Sequence, residues 1–240
     1  MIYNLIPSLF IFLAFFNVNN SSHLKSELVK PNHYVTIIKP ALNSKIEIAY
    51  NNLHSNKYAL PKLESFASAL KGYYSLKEKG LIKKDILTII DFSMSSNTKR
   101  LWVINILTGD ILFNSLVSHG RNTGQEFASN FSNANESFKS SLGFYTTGEI
   151  YNGKHGMSLR LDGLEKGIND NARARGVVMH AADYVSESFI KNNNRLGRSQ
   201  GCPAVPVALS KDIITTIKDK SCFFIYHPSR VAKFGTESTS

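Results

Sequence analysis

Two side chains in this 240-residue chain have the chemistry for covalent catalysis: Cys202, within Gly197-Arg198-Ser199-Gln200-Gly201-Cys202-Pro203, and His180, which ends the apolar run Val177-Val178-Met179. A thiolate attacks carbonyl carbon and a thiol hardly does, so a nucleophilic cysteine needs a base, a cation or a favourable dipole beside it. His180 is the candidate base, and the Arg198 guanidinium is a cation that would favour thiolate at Cys202. Gly201 leaves room for a substrate carbonyl, and the backbone N–H groups around Gly201 and Cys202 are candidate donors to the developing oxyanion. Arg198 also suits bidentate binding of a substrate carboxylate. Ser199 reads either as a substrate contact or as a turn former, and Gln200 falls on the same substrate-facing turn.

Other polar residues carry two readings each. His155, in Lys154-His155-Gly156, and His119, in Ser118-His119-Gly120, sit in glycine-containing turns, where a structural hydrogen bond and a place in the substrate cleft both remain open. Tyr145 and Tyr151 either line a groove or pack as strand aromatics. Seven histidines invite a metal proposal. They form neither a His-x-x-x-His pair nor a His-Glu-x-x-His run, and Cys202 and Cys222 lack the Cys-x-x-Cys spacing of structural zinc, so no metal and no cofactor are expected. Gly120-Arg121-Asn122-Thr123-Gly124 lacks the Lys-Ser/Thr that would follow in a phosphate loop.

The elements that must hold these groups read mainly as strands. From Asp85 onward, Ile86–Phe92, Leu101–Leu107 and Ile111–Val117 are β-branched and aromatic runs separated by turn residues, which predicts an antiparallel meander. Further strands are expected at Gly143–Ile150, Ser158–Leu161, Gly176–His180 and Cys222–Tyr226. Residues 124–140 form a polar segment too long for a hairpin turn and read as a surface loop near the site. Leu209, Ile213 and Ile217 mark one face of a helix after the cysteine. Upstream, Leu60, Leu63, Phe66, Leu70 and Tyr73 or Tyr74 recur at helical spacing behind Pro61, with Gly80 closing the element. Its expected role is packing against the strands. Residues 23–56 read as an irregular leader with β-prone pieces at Tyr34–Ile38 and Ile46–Tyr50, and the tail from Arg230 as disordered.

The motif residues resemble the catalytic domain of murein L,D-transpeptidases, the YkuD-like fold, whose signature is a histidine followed downstream by Ser/Thr-x-Gly-Cys. His180 and Ser199-Gln200-Gly201-Cys202 match it. Ser118-His119-Gly120-Arg121-Asn122-Thr123-Gly124, Ser140-Ser141-Leu142-Gly143, Gly153-Lys154-His155-Gly156 and Gly197-Arg198-Ser199 are similar to the same subgroup, and the resemblance runs from Ile86 to Tyr226. It departs at Gln200, where many relatives carry a second histidine, and at Pro203-Ala204, which replaces polar residues. The resemblance implies a mainly β, twisted β-sandwich or barrel domain over residues 85–229. It also implies attack by Cys202 on a peptidoglycan stem peptide, with loss of D-alanine and an acyl thioester passed to an amine. Water as acceptor would make the same site an L,D-carboxypeptidase or endopeptidase. For His180, the resemblance implies orientation by a backbone carbonyl around Ala181 or Ala182, with Asp183 as the substitute.

Compartment and partners follow from the ends and the charge. Leu5–Phe16 is apolar but for Pro7 and Ser8 and leads into polar residues, so residues 1–22 read as a secretory signal, or as an uncleaved membrane tether because no Lys or Arg precedes the run. Lys plus Arg number 28 against 18 Asp plus Glu, a net charge of +10, which calls for an anionic partner. In an exported chain that is the periplasm or cell envelope, with its carboxylate and phosphate polymers, rather than nucleic acid. Export also permits a third reading, a non-catalytic envelope-binding module in which Cys202 and Cys222 form a disulfide.

Overall fold

The computed structural model describes residues 43–230. The expected signal at 1–22, the β-prone piece Tyr34–Ile38 and the tail beyond Arg230 lie outside the described residues. Eight strands make one sheet: β1 (Ile86–Asp91), β2 (Leu101–Asn105), β3 (Ile111–Ser115), β4 (Gly143–Gly153), β5 (Gly156–Gly163), β6 (Val178–Ala181), β7 (Ala204–Val205) and β8 (Cys222–Tyr226), in the order β3-β2-β1-β8-β4-β5-β6-β7. The Ser118 N–H, just past β3, donates to the Ala204 carbonyl of β7 at 2.9 Å. The two ends of the sheet therefore meet, and the domain is a nearly closed, barrel-like β structure with a few helices.

The strand β8 explains the two-layered core. Its five residues, Cys-Phe-Phe-Ile-Tyr, are all buried, the continuous apolar run of a strand covered on both faces. Phe223 and Ile225 point into an inner cluster with Val103, Tyr145, Leu161 and Met179. Cys222, Phe224 and Tyr226 point the other way, into an outer cluster beneath a helix. The strand pairs antiparallel with β4 and parallel with β1, so the meander β1-β2-β3 is extended by a strand from the far end of the chain.

That covering helix, α1 (Leu63–Glu78), lays Phe66, Ala69, Leu70, Tyr73 and Leu76 on the outer cluster. It starts two residues later than the Pro61 signal suggests. Ala59 is held outside the helix, where its carbonyl accepts the Trp102 indole N–H at 2.7 Å, and Leu60 and Leu63 are exposed. The other end is as expected. Gly80, at φ +68°, donates to the Lys77 carbonyl and Leu81 to the Leu76 carbonyl, the paired closure that a left-handed residue permits at a helix terminus. Residues 43–51 are helical, not the strand expected at Ile46–Tyr50. Ile46, Ala49, Tyr50 and Leu53, at helical spacing, reach the outer cluster while Ile48 is 59% exposed.

Two further helices follow. A short α2 (Glu187–Asn193), unforeseen in the sequence, has no buried residue and is defined by its ends: Ser186 Oγ accepts the Phe189 N–H, and Asn194 closes it in the left-handed conformation. The expected helix after the cysteine is α3 (Val207–Ile217), which drives Ile213, Ile214 and Ile217 into the inner cluster. Arg230 is fixed, with Nη2 2.6 Å from Glu165 Oε2 and its guanidinium over Phe144 and Phe224.

Candidate active site

Strand pairing brings His180 and Cys202 into one cleft. β6 carries His180 and β7 begins two residues after Cys202; in their parallel pairing His180 is opposite Ala204, and the His180 N–H donates to the Pro203 carbonyl at 3.4 Å. A two-residue strand has no propensity signal of its own, which is why β7 was not expected. The turn before it is tied on every side. Ser199 donates to the His119 carbonyl, and its own carbonyl accepts from Arg121. Ser199 Oγ donates to the Cys202 carbonyl at 2.6 Å and accepts the Gly201 N–H at 3.0 Å. Ser140 Oγ donates to the Gly201 carbonyl. These bonds fit the turn-former reading of Ser199, which also lines the cleft, and they engage the Gly201 N–H that was a candidate oxyanion donor. Gly201 itself sits at φ +127°, where a Cβ would come within 2.9 Å of the Lys139 carbonyl.

His180 is buried, and its Nδ1 lies 2.8 Å from the Ala181 carbonyl. A carbonyl only accepts, so Nδ1 carries the proton and Nε2 is left with its lone pair. Asp183 is exposed and plays no part in this orientation. Burial lowers the His180 pKa, against the Ala181 bond, which raises it, and with help from His155 and Lys154, which lower it. His155 stacks on His180 at a centroid distance of 4.4 Å, carried there by the tight turn between β4 and β5.

Cys202 is partly buried, and its Sγ–H donates to the Gly176 carbonyl at 3.8 Å. Burial pushes the thiol pKa up; a backbone hydrogen bond from Val178 and the charges of Arg175 and Lys154 oppose it. With the thiol pKa raised and the imidazole pKa lowered, both groups are favoured in their neutral forms. Such a pair works by general-base transfer during attack rather than from a preformed ion pair.

The charges that oppose the rise in the Cys202 pKa are those of Arg175 and Lys154. Arg198 commits Nη1 to the carbonyls of Arg121 and Gly124, at 3.0 and 2.9 Å, and braces that loop against the nucleophile turn. It still lines the cleft, as do Ser199, Gln200 and His155. The cleft has a volume of about 570 Å³ and holds the guanidinium or ammonium groups of Arg121, Lys154, Arg175 and Arg198 against one carboxylate, Glu136. Asn135, Glu136 and Phe138 from the polar loop form one wall. Arg175 and Lys154 were missed because nothing along the chain places them near Cys202.

His119 lies outside this cleft. It is buried between Arg100, whose Nη2 donates to Nδ1 at 2.8 Å, and the Gly124 carbonyl; burial and then the Arg100 charge push its pKa down to about 3. Tyr145 is buried with its hydroxyl on the Ser141 carbonyl, whereas Tyr151 lines the cleft beneath Arg160. Both cysteines are free thiols, Cys222 in the outer core and Cys202 in the cleft, so the disulfide reading is overturned. Among the described residues no group of three or more His, Cys, Asp or Glu is arranged to hold a metal ion.

The sequence model of the L,D-transpeptidase catalytic domain matches residues 58–226. The chain belongs to that family. The match includes α1 as well as the strands. Among solved structures the chain is similar to an L,D-transpeptidase from Mycobacterium smegmatis (13% identity over 60% of this chain and 59% of that one, TM-score 0.37). It is also similar to the helical cell shape determining protein Pgp2 from Campylobacter jejuni (14%, 62% and 53%, 0.37) and to the L,D-transpeptidase from Xylanimonas cellulosilytica (11%, 78% and 91%, 0.34). The family assignment rests on the sequence match, not on these distant likenesses, and the chain spans under two thirds of the first two structures. Among curated proteins no relative matches.

Proposed function

We propose that this family member is a cysteine-dependent L,D-transpeptidase acting on peptidoglycan stem peptides. The observation that supports the reading is the β6–β7 pairing, which puts His180 opposite Ala204, two residues after Cys202, while the Nδ1 of His180 is held by the Ala181 carbonyl. In the first step Sγ forms a bond to the carbonyl carbon at the L-centre of diaminopimelate while its proton passes to Nε2. The tetrahedral intermediate expels D-alanine, whose nitrogen leaves with that proton. In the second step an amine of another stem attacks the thioester, His180 takes the amine proton, and the departing sulfur recovers it. The cationic cleft supports an anionic donor, since stem peptides carry free carboxylates.

Water in place of the amine gives the carboxypeptidase or endopeptidase reading with the same two residues. Export to the envelope belongs to this proposal too, since the net charge of +10 favours an anionic polymer. The test is incubation of the protein with defined disaccharide tetrapeptides and mass analysis of the products. Cross-linked dimers mark the transpeptidase, shortened stems the hydrolase, and unchanged substrate defeats both.

A further inference from the structure

The guanidinium of Arg175 has an unusual set of partners. Nη1 donates to the Ser132 carbonyl at 2.9 Å and to Ser141 Oγ at 3.0 Å; Nη2 donates to the Lys139 carbonyl at 2.6 Å and to Ser137 Oγ at 3.3 Å. All four acceptors are neutral and all four lie in the loop that walls the cleft. Arg173, two residues earlier, shows the ordinary alternative, paired with Asp162 and Glu149 on the outside of the sheet. The Arg175 charge is thus half-buried in the cleft, and among the described residues it forms no ion pair with a carboxylate, Glu136 of the same cleft included. It also lies close to the turn that carries Cys202: a Cβ added at Gly201 would lie 3.4 Å from Nη2 and 2.9 Å from the Lys139 carbonyl. The next residue, Gly176, gives the carbonyl that accepts the Cys202 thiol.

We propose that Arg175 is a positioning residue that couples the nucleophile to the cleft wall, anchoring loop residues 132–141 with one face of its guanidinium and serving as counter-ion to the Cys202 sulfur when it becomes thiolate. This rests on Cys202 being the nucleophile. Around the cleft that holds Cys202 stand the titratable and charged groups His180 from β6, His155 from the β4–β5 turn, Arg121, Glu136 and Arg198, and those coupled to the sulfur itself are Tyr184, Lys154 and Arg175. Of the two cations among them, Lys154 is exposed and screened by solvent, while a half-buried charge is screened far less. Arg175 also precedes Lys154 among the charges that hold the thiol pKa down. A substrate that displaces the loop would shift the guanidinium with it, so occupancy of the cleft and readiness of the thiol are linked through one side chain.

The test is the pH dependence of Cys202 alkylation by iodoacetamide, read by mass spectrometry at that cysteine in the full chain. Two neutral variants, Arg175→Gln and Arg175→Met, guard against a single misfolded protein, and Arg175→Lys keeps charge while losing most of the loop bonds. Removing a nearby opposite charge moves a pKa by on the order of one unit, so the neutral variants should react about tenfold more slowly at pH 7.5. Arg175→Lys should keep a near-native midpoint, yet its 132–141 loop should be cut faster by protease. A native midpoint in a folded neutral variant overturns the inference, and so does a lysine variant that shifts as far as the neutral ones. If wild-type Cys202 failed to alkylate at all, the nucleophile itself would be in error, which is a separate failure.

Discussion

At the residue scale, the two cysteines give the sharpest contrast. Cys202→Ala should abolish turnover and thiol labelling with little change in unfolding midpoint, because the group removed is small and faces the cleft. Cys222→Ala removes a buried sulfur from the outer core and should cost about 1 kcal/mol while leaving labelling of Cys202 intact. Thiol labelling followed by chemical denaturation of both variants separates the outcomes. His180→Gln should slow acylation by roughly two to four orders of magnitude, measured in single turnover. That Cys202 and His180 meet in one cleft was legible because motif residues stand in a recognisable order along the chain. The hydrogen-bond partners of Arg198 were not legible, for the opposite reason. Being four positions from Cys202 says where its backbone is and not where a flexible guanidinium points, and it points to Arg121 and Gly124. Arg175 comes to the sulfur through tertiary folding, so no local pattern announces it.

At the element scale, the central strands were legible from their apolar runs, while residues 43–51 were not. Ile46, Ile48 and Tyr50 alternate as a strand does, and Ile46, Ala49, Tyr50 and Leu53 repeat as a helix does; burial against α1 decides for the second. The parallel pairing of β8 with β1 has no sequence signal either, since it joins segments from opposite ends of the domain. Packing of α1 on that pair is expected to be a major source of stability. Phe66→Ala should cost about 3–5 kcal/mol in urea denaturation, with activity per folded molecule unchanged. The loop of residues 119–124 carries a pH consequence. His119 has an ordinary pKa of 6.5 when unfolded and about 3 when folded, so the unfolded chain takes up a proton that the folded one refuses. Stability from this group is full above pH 6.5 and falls by up to about 1.4 kcal/mol per pH unit as pH drops towards 3. His119→Gln, which keeps a donor and an acceptor, should flatten that acid slope in denaturation curves.

At the scale of the whole molecule, the barrel closure that joins Ser118 to Ala204 also sets the nucleophile turn against the loops at 119–121 and 139–140. Fold and site are therefore one construction, and the cleft's excess of cations is the local expression of the chain's positive charge. The opposed shifts of Cys202 and His180 give the site a pH signature. Because burial lowers the His180 pKa from its ordinary value of 6.5, the acid limb of acylation should lie under that value. The measurement that bears most directly on the central claim is intact-protein mass spectrometry of the wild type and Cys202→Ala after brief exposure to a disaccharide tetrapeptide. The account predicts a wild-type adduct equal to the donor less D-alanine, mapped to Cys202, which a second stem then discharges, and no adduct in the alanine variant. Release of D-alanine by Cys202→Ala at the wild-type rate would contradict it.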